Sequence, residues 1–202
     1  MAKDKDNELQ KILIGTFSTN RAKKASLSIL KLFTERVECS NVKYEKNIQL
    51  EFIHKILNSN GDKFECKNIV FEINLTPKNT KIHNLIDCYI IFFDLENGKS
   101  LVELEKILLY LKPININDKK IYLINFYMNE NNIKSNLTED NIKSCFEKYE
   151  LENYEISLIN LENSNDDLVE IINSISIETL DDKNYINKDF DGNKCNSKCN
   201  IY

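Results

Sequence analysis

Short apolar runs and stretches with helical periodicity alternate along most of the chain. The runs at Lys11–Gly15, Cys88–Phe93 and Lys120–Phe126 have the length of buried strands, and the first of them ends at a glycine. An amphipathic helix is predicted at 22–33, after the first run. Leucines spaced three and four residues apart predict another helix after the second run, and Pro113 ends it. Strands that alternate with helices indicate a parallel sheet.

A β-hairpin interrupts this alternation. Ile48–Leu57 and Phe64–Leu75 are predicted strands, and the turn-forming residues Asn58–Asp62 lie between them. The preceding stretch, Thr34–Asn47, is polar and is interpreted as a loop.

The C-terminal half adds a helix, a strand and a last helix. Thr138 is the predicted N-cap of the first helix, and Tyr154–Leu161 is the predicted strand. The last helix ends near Leu180, where the chain becomes polar. The apolar faces of the two helices are predicted to consist of Ile142, Cys145, Phe146 and Tyr149, and of Leu168, Ile171, Ile172 and Ile175.

These elements together predict an α/β fold. The sheet is expected to be mainly parallel and six-stranded, with one antiparallel edge strand and with helices on both faces. The predicted organisation is a polar N-terminal tail at 1–10, one domain at 11–180 and a flexible C-terminal tail at 181–202.

Composition narrows the function classes. The net charge of −5 argues against nucleic acid as a partner. The first ten residues are polar, and no uninterrupted apolar stretch reaches about 18 residues, so we expect a cytoplasmic or nuclear protein with reduced cysteines. The sequence has no CxxC pair, and His54 and His83 are its two histidines, so no metal site is expected.

Several strings resemble the small GTPases of the Ras superfamily, and the Rab branch in particular. Ile48–Phe52 is similar to the Ile-Gly-Val-Asp-Phe string of the second Rab strand, and Phe93–Leu101 is similar to the Tyr-Asp-Val-Thr-x-x-x-Ser-Phe string before the third helix. The resemblance covers roughly Lys11 to Leu180 and implies a small-GTPase-like fold of the P-loop NTPase class.

The phosphate-binding loop departs from the family pattern G-x-x-x-x-G-K-[ST]. In that pattern, backbone N–H groups and a lysine hold the phosphates, and a hydroxyl binds magnesium. After Gly15, the second glycine is replaced by Asn20, the lysine by Arg21 and the hydroxyl residue by Ala22. A shifted alignment that uses Lys24 and Ser26 requires an insertion and still lacks the second glycine.

The other nucleotide motifs are also altered. The switch II string Asp-Thr-Ala-Gly appears as Leu75–Lys78, and the stretch up to Asp87 is short for a switch II helix. Asn125 is the candidate for the guanine-reading Asn, but the Lys and Asp of that motif are absent. Each lost buried charge-assisted bond costs about 1.5–3 kcal/mol, so neither GTP nor magnesium is expected as a cofactor.

The C-terminus carries Cys195 and Cys199, and Cys199–Tyr202 has the shape of a C-a-a-X box. Prenylation of one or both cysteines would attach the protein peripherally to a membrane. The alternative is a polar tail with two thiols, and the sequence leaves both open.

Three functions follow. The first is a Rab-like pseudo-GTPase that acts as a protein-binding adaptor or scaffold in vesicle trafficking, peripheral on endomembranes. The second is a nuclear kinetochore subunit, because Ile12–Thr16 and Ile90–Leu111 resemble centromere protein M, which has a small-GTPase fold without the nucleotide motifs. The third is a weak GTPase that uses Lys24 and Ser26. For the adaptor, the predicted partner surface is the hairpin, with Ile48, Leu50, Phe52 and Phe71.

Overall fold

The computed structural model describes residues 10–19, 22, 26, 28–31, 34, 39–43, 50–57, 63–73, 75, 80–94, 99–114, 119–127, 138–160 and 170–181. Within this part the strands are β1 (Gln10–Ser18), β2 (Cys39–Lys43), β3 (Leu50–Leu57), β4 (Lys63–Glu72), β5 (Cys88–Asp94), β6 (Ile121–Tyr127) and β7 (Tyr154–Asn160). The helices are α1 (helical at 22, 26, 28–31 and 34), α2 (Thr80–His83), α3 (Ser100–Leu111), α4 (Glu139–Lys148) and α5 (helical at 170–181).

The strands form one sheet in the order β2-β3-β4-β1-β5-β6-β7. β3 is antiparallel to both of its neighbours, and the other pairs are parallel. The predicted α/β architecture with a mainly parallel sheet is therefore confirmed. The strand count of six was wrong, since the described residues form seven strands. The antiparallel strand is also not at the edge, because β2 lies outside it.

The additional strand β2 lies in the stretch that was interpreted as a loop. Four of its five residues are exposed, so it has no apolar periodicity that a sequence analysis could detect. It is held by antiparallel pairing with β3, in which Cys39 lies opposite His54 and Lys43 opposite Glu51, with a shift of register between them. Asn41 has a φ of 53°, which gives the strand an irregular outer edge.

Helices cover both faces of the sheet, as predicted. On one face, Ile29 of α1 and Ile172 and Ile175 of α5 pack on the even-numbered side chains of β1 and β5. On the other face, the odd-numbered side chains of β1 and β5 belong to a second cluster that includes the buried residues of α3 and α4. All seven residues of β5 are buried, which explains the uninterrupted apolar run Cys88–Phe93 before its last residue, Asp94.

β1 extends three residues beyond Gly15, the glycine that was predicted to end it. A Cβ atom on Gly15 would lie 2.6 Å from Ile73 Cδ1 and 2.9 Å from Tyr89 Cδ1. The glycine is therefore needed in the strand interior because two neighbouring side chains approach the backbone closely. It does not mark the beginning of a loop.

The predicted start of α4 is confirmed by its cap. Thr138 Oγ1 accepts a hydrogen bond from Asn141 N–H at 3.3 Å, and Asn141 Oδ1 accepts one from Thr138 N–H at 3.0 Å. This reciprocal pair is a capping box, with Asn141 in the position that is usually Glu or Gln.

A buried polar group joins α5 to the hairpin. Asn68 Nδ2 lies 2.9 Å from His54 Nδ1, and Ser176 Oγ of α5 donates to Asn68 Oδ1 at 3.4 Å. His54 is 1% exposed, and its burial lowers the pKa of the imidazole from 6.5 to about 4. The ring is therefore neutral in the folded protein at neutral pH and accepts the Asn68 hydrogen bond at Nδ1.

Candidate functional site

The candidate site lies at the carboxyl edge of β1, β5 and β6. The next three strands of the chain, β2 to β4, all lie on one side of β1, and β5 lies on its other side. The strand order therefore changes direction at β1. In open α/β sheets, the crevice outside the carboxyl ends of two such strands is the usual place for a ligand. Of the predicted nucleotide-site residues, Gly15 and Asn125 are on strands that end at this edge, and Ser26 is on α1, the helix that follows β1.

The connection between β1 and α1 is too short for the predicted phosphate loop. β1 ends at Ser18 and Ala22 is already helical, so at most three residues separate strand from helix. Thr19 continues the strand direction, since its N–H donates to Phe92 O at 3.1 Å. A loop of the G-x-x-x-x-G-K type needs more residues than this to surround a phosphate chain with backbone N–H groups.

The other residues of the predicted phosphate loop do not form a cradle in the described structure. Gly15 lies within the sheet, paired with Phe71 and Tyr89. Ser26 is fully buried in α1, and Ser18 Oγ donates to its hydroxyl at 3.2 Å. The Ser26 hydroxyl that the shifted alignment uses is thus packed against β1. The remaining predicted positions, Asn20, Arg21 and Lys24, lie outside the described residues.

Asn125, the candidate for reading guanine, lies within β6, two residues before its end. It pairs with Phe93 on one side and Leu158 on the other and is 4% exposed. Its Oδ1 has no hydrogen-bond partner among the described residues. The side chain is therefore held between two strands, and it is not displayed on a loop after the strand.

Two further polar side chains at this edge were not predicted. Thr19 is 1% exposed and Ser100 is fully buried, and neither hydroxyl has a hydrogen-bond partner in the part of the chain that the structure describes. Ser18 pairs with Phe92 and Phe93 with Asn125, so Thr19 and Asn125 flank Phe93 across three adjacent strands. The sequence feature that could have identified Thr19 and Ser100 is a hydroxyl residue directly after a buried strand or at the first position of a helix.

The buried side chains that the structure describes at this edge do not by themselves favour an anion. Thr19, Ser100 and Asn125 are neutral, and the neighbouring buried residue Asp94 is acidic. Each buried polar atom without a partner costs about 1–3 kcal/mol, so these residues reduce stability in the unliganded chain. A phosphate group would instead need positive charge or converging backbone N–H groups.

The predicted partner surface requires a correction. Leu50 and Phe52 are 0% and 1% exposed, because they face α1 and α5 within the core. Phe71 is half-buried on the opposite face, and Ile48 lies outside the described residues. Leu50 and Phe52 therefore do not contribute to an exposed surface of the hairpin.

The outer face of the hairpin is charged and half-exposed. Glu51 Oε1 lies 2.9 Å from Lys67 Nζ and 3.9 Å from Lys43 Nζ, and Ile53 lies beside it on β3. The hydrogen bond from Lys67 holds the pKa of the Glu51 carboxyl below its usual range.

Three other sequence expectations concern metals, cysteines and membranes. Among the described residues, no group of three or more His, Cys, Asp or Glu side chains is arranged to hold a metal ion. Cys39, Cys66, Cys88 and Cys145 are free thiols. No helix in the described part of the chain is long and apolar enough to cross a bilayer. Cys195 and Cys199 lie outside the described residues.

Comparison of the sequence with protein-family models and with curated proteins finds no match.

Proposed function

We propose that this chain is a small-GTPase-like protein that does not bind nucleotide and acts as an adaptor or scaffold for other proteins in vesicle trafficking. The sheet supports the fold assignment. When β2 is set aside, the remaining six strands form a mainly parallel sheet with β3 antiparallel at its edge and with helices on both faces. This is the arrangement that the Rab-like strings imply.

The short connection between β1 and α1, of three residues at most, is the observation that carries the proposal. It supports the loss of nucleotide binding independently of the altered motifs, because it concerns backbone length as well as side chains. The interior position of Gly15 and the burial of Ser26 add to this support. The third hypothesis, a weak GTPase that uses Lys24 and Ser26, is correspondingly disfavoured.

A nucleotide titration tests this part of the proposal. Full-length protein is titrated with fluorescent analogues of GTP, GDP and ATP, in magnesium and again in EDTA, with an active small GTPase as a positive control. We expect no saturation at concentrations up to about 100 μM. A dissociation constant near or below about 1 μM would overturn the proposal. If turnover is seen, Lys24→Ala should abolish it, and unchanged turnover would indicate a contaminating enzyme.

The outer face of the hairpin is the proposed partner surface in corrected form. It presents the half-exposed Ile53 beside the Glu51–Lys67 ion pair, with Phe71 on the neighbouring strand. Ile53→Glu places a charge in this face, whereas the control Val102→Glu does so on the exposed side of α3, where Val102 is 55% exposed. We expect Ile53→Glu to abolish the recruitment of partners and the cellular localisation. The control Val102→Glu should change neither.

Imaging of the tagged full-length protein distinguishes the cellular settings. Membrane puncta that disappear when Cys195 and Cys199 are both replaced by Ser would support the trafficking role and the lipidated tail. Intact-mass spectrometry of protein from its native cell would show the lipid directly. Discrete centromeric foci in dividing cells would instead favour the kinetochore alternative.

A further inference from the structure

The last strand of the sheet has a regular and unpaired outer edge. All seven residues of β7 pair in register with β6, and in the described part of the chain β7 has no neighbour on its other side. The opposite edge differs, because β2 is interrupted by a register shift and by the positive φ of Asn41. A regular open edge is a template for another strand, whereas an irregular one resists such pairing.

The direction of the free backbone groups follows from one hydrogen bond. Asn153 O accepts from Ile121 N–H at 2.9 Å, so residue 153 faces β6. Because successive residues of a strand direct their N–H and C=O groups to opposite sides, 155, 157 and 159 also face β6. Ile156, Leu158 and Asn160 therefore direct their backbone groups outward, where an added strand would bind.

An open groove lies next to this edge, between β7 and α4. It has a volume of about 460 Å³ and is lined by Glu139, Lys143, Glu152, Tyr154, Glu155 and Ile156. The ring of Phe146 on α4 stacks on Tyr154, with 4.1 Å between the ring centroids, and this contact fixes the helix beside the strand. Tyr154 and Ile156 are half-buried and provide an apolar floor.

The charged side chains at the rim of the groove are Glu139, Lys143 and Glu152. Lys143 is paired with Glu139 at 2.7 Å. Glu155 lies between Tyr154 and Ile156 in the strand, so its side chain points to the opposite face of the sheet, where it pairs with Lys120 at 2.8 Å. Glu152 is exposed and forms no ion pair within the described part of the chain. This carboxylate is available to a cation on a docked segment.

We propose that the groove between β7 and α4 is a peptide-docking site that takes an extended, basic segment of a partner protein as an eighth strand. The outward backbone groups of β7 provide the hydrogen bonds, the floor receives alternate apolar side chains, and Glu152 selects Lys or Arg. The site lies at the opposite edge of the sheet from the hairpin, so its test is independent of the proposed function.

The test is a fluorescence-anisotropy titration of the full chain with a labelled peptide of about eight residues in which Lys and Val alternate. One control peptide has Glu in place of Lys, and another has N-methyl groups on alternate amides. We expect the Lys/Val peptide to bind, and binding to weaken with added salt. Both control peptides should bind at least about tenfold more weakly, the first for lack of charge complementarity and the second for lack of strand pairing.

Variants of the chain locate the binding. Ile156→Pro removes an outward N–H without removing a hydrogen bond to β6, and Glu152→Lys reverses the free charge. Glu147→Lys makes the same charge change on an exposed position of α4 outside the groove lining. We expect Ile156→Pro to abolish binding and Glu152→Lys to weaken it at least about threefold, with Glu147→Lys close to the parent.

Circular dichroism checks that each variant folds. If Ile156→Pro does not fold, Glu152→Lys still decides the test. Equal binding of the Lys/Val and Glu/Val peptides would overturn the proposal, as would equal effects of Glu152→Lys and Glu147→Lys. A dimer of the chain that Ile156→Pro dissociates, without peptide binding, would also overturn it, because a second copy would then occupy the edge.

Discussion

Replacement of Gly15 by Ala tests the strongest structural correction, that this glycine lies inside β1. The added Cβ would lie 2.6 Å from Ile73 Cδ1 and 2.9 Å from Tyr89 Cδ1. Carbon atoms pack at about 3.5–4.0 Å, so the neighbours would have to move by about 1 Å. Tyr89 is fully buried, and its hydroxyl lies 2.9 Å from His83 Nδ1, so its ring has little freedom to move away.

The expected cost follows from two opposing effects. Overpacking in a core costs about 1–3 kcal/mol, whereas Ala is favoured over Gly within a strand by about 0.5–1 kcal/mol. We therefore expect Gly15→Ala to lower the free energy of unfolding by about 1–2 kcal/mol. Ile73→Val removes the atom nearest to the new methyl group and costs about 0.5–1.5 kcal/mol by itself. In the Gly15→Ala background that cost should fall by about 1 kcal/mol, because the Ile73 substitution also relieves the clash.

The assay is urea denaturation of the parent, both single variants and the double variant. Far-UV circular dichroism is the appropriate signal, because the chain has no tryptophan. A parent-like stability of Gly15→Ala would refute the reasoning. So would strict additivity of the two substitutions, since it would mean that Ile73 and the new methyl group do not meet.

Three other predictions concern stability. Lowering the pH from about 7 to about 5 should cost about 2 kcal/mol through His54, because the unfolded imidazole titrates near 6.5 and the folded one near 4. The stabilisation is complete above the pKa of the unfolded chain and is lost as the pH falls toward 4. The measurement is the urea midpoint as a function of pH, and His54→Gln should remove this part of its pH dependence. Asn125→Leu should be neutral or stabilising by up to about 1 kcal/mol, because Oδ1 has no hydrogen bond to the described residues that could be lost, and a lower melting temperature would contradict this. Thr138→Ala should cost about 1 kcal/mol in thermal unfolding through loss of the N-cap, whereas the control Ser144→Ala on the exposed side of α4 should cost less.

The parts of the fold that sequence could predict are those whose side chains carry the information. β5 was predicted because every one of its residues is buried, and α3 because Leu104, Leu108 and Leu111 recur on its buried side. β2 was missed because an exposed edge strand is held by backbone hydrogen bonds, which leave no apolar pattern. The end of β1 was placed too early because a glycine inside a strand resembles a glycine that ends one.

The candidate site was less predictable, because burial at its residues depends on tertiary packing. Thr19 and Ser100 are inconspicuous in the sequence, and only the meeting of β1, β5 and α3 buries their hydroxyls without a hydrogen-bond partner among the described residues. Leu50 and Phe52 were assigned to a partner surface through the family resemblance. Their alternation with Glu51 and Ile53 already placed the two pairs on opposite faces, but the position of α1 and α5 was needed to decide which face is buried.

Under the proposed function, the short link between β1 and α1 has a consequence for the timing of a complex. A nucleotide switch changes state when hydrolysis occurs, so the lifetime of its active form is set by a chemical rate. A chain that holds no nucleotide has no such timer. The duration of its complexes is then the reciprocal of their dissociation rate, and their abundance follows the concentrations of both partners. Synthesis, degradation and placement within the cell would be the means by which such a protein is turned on and off.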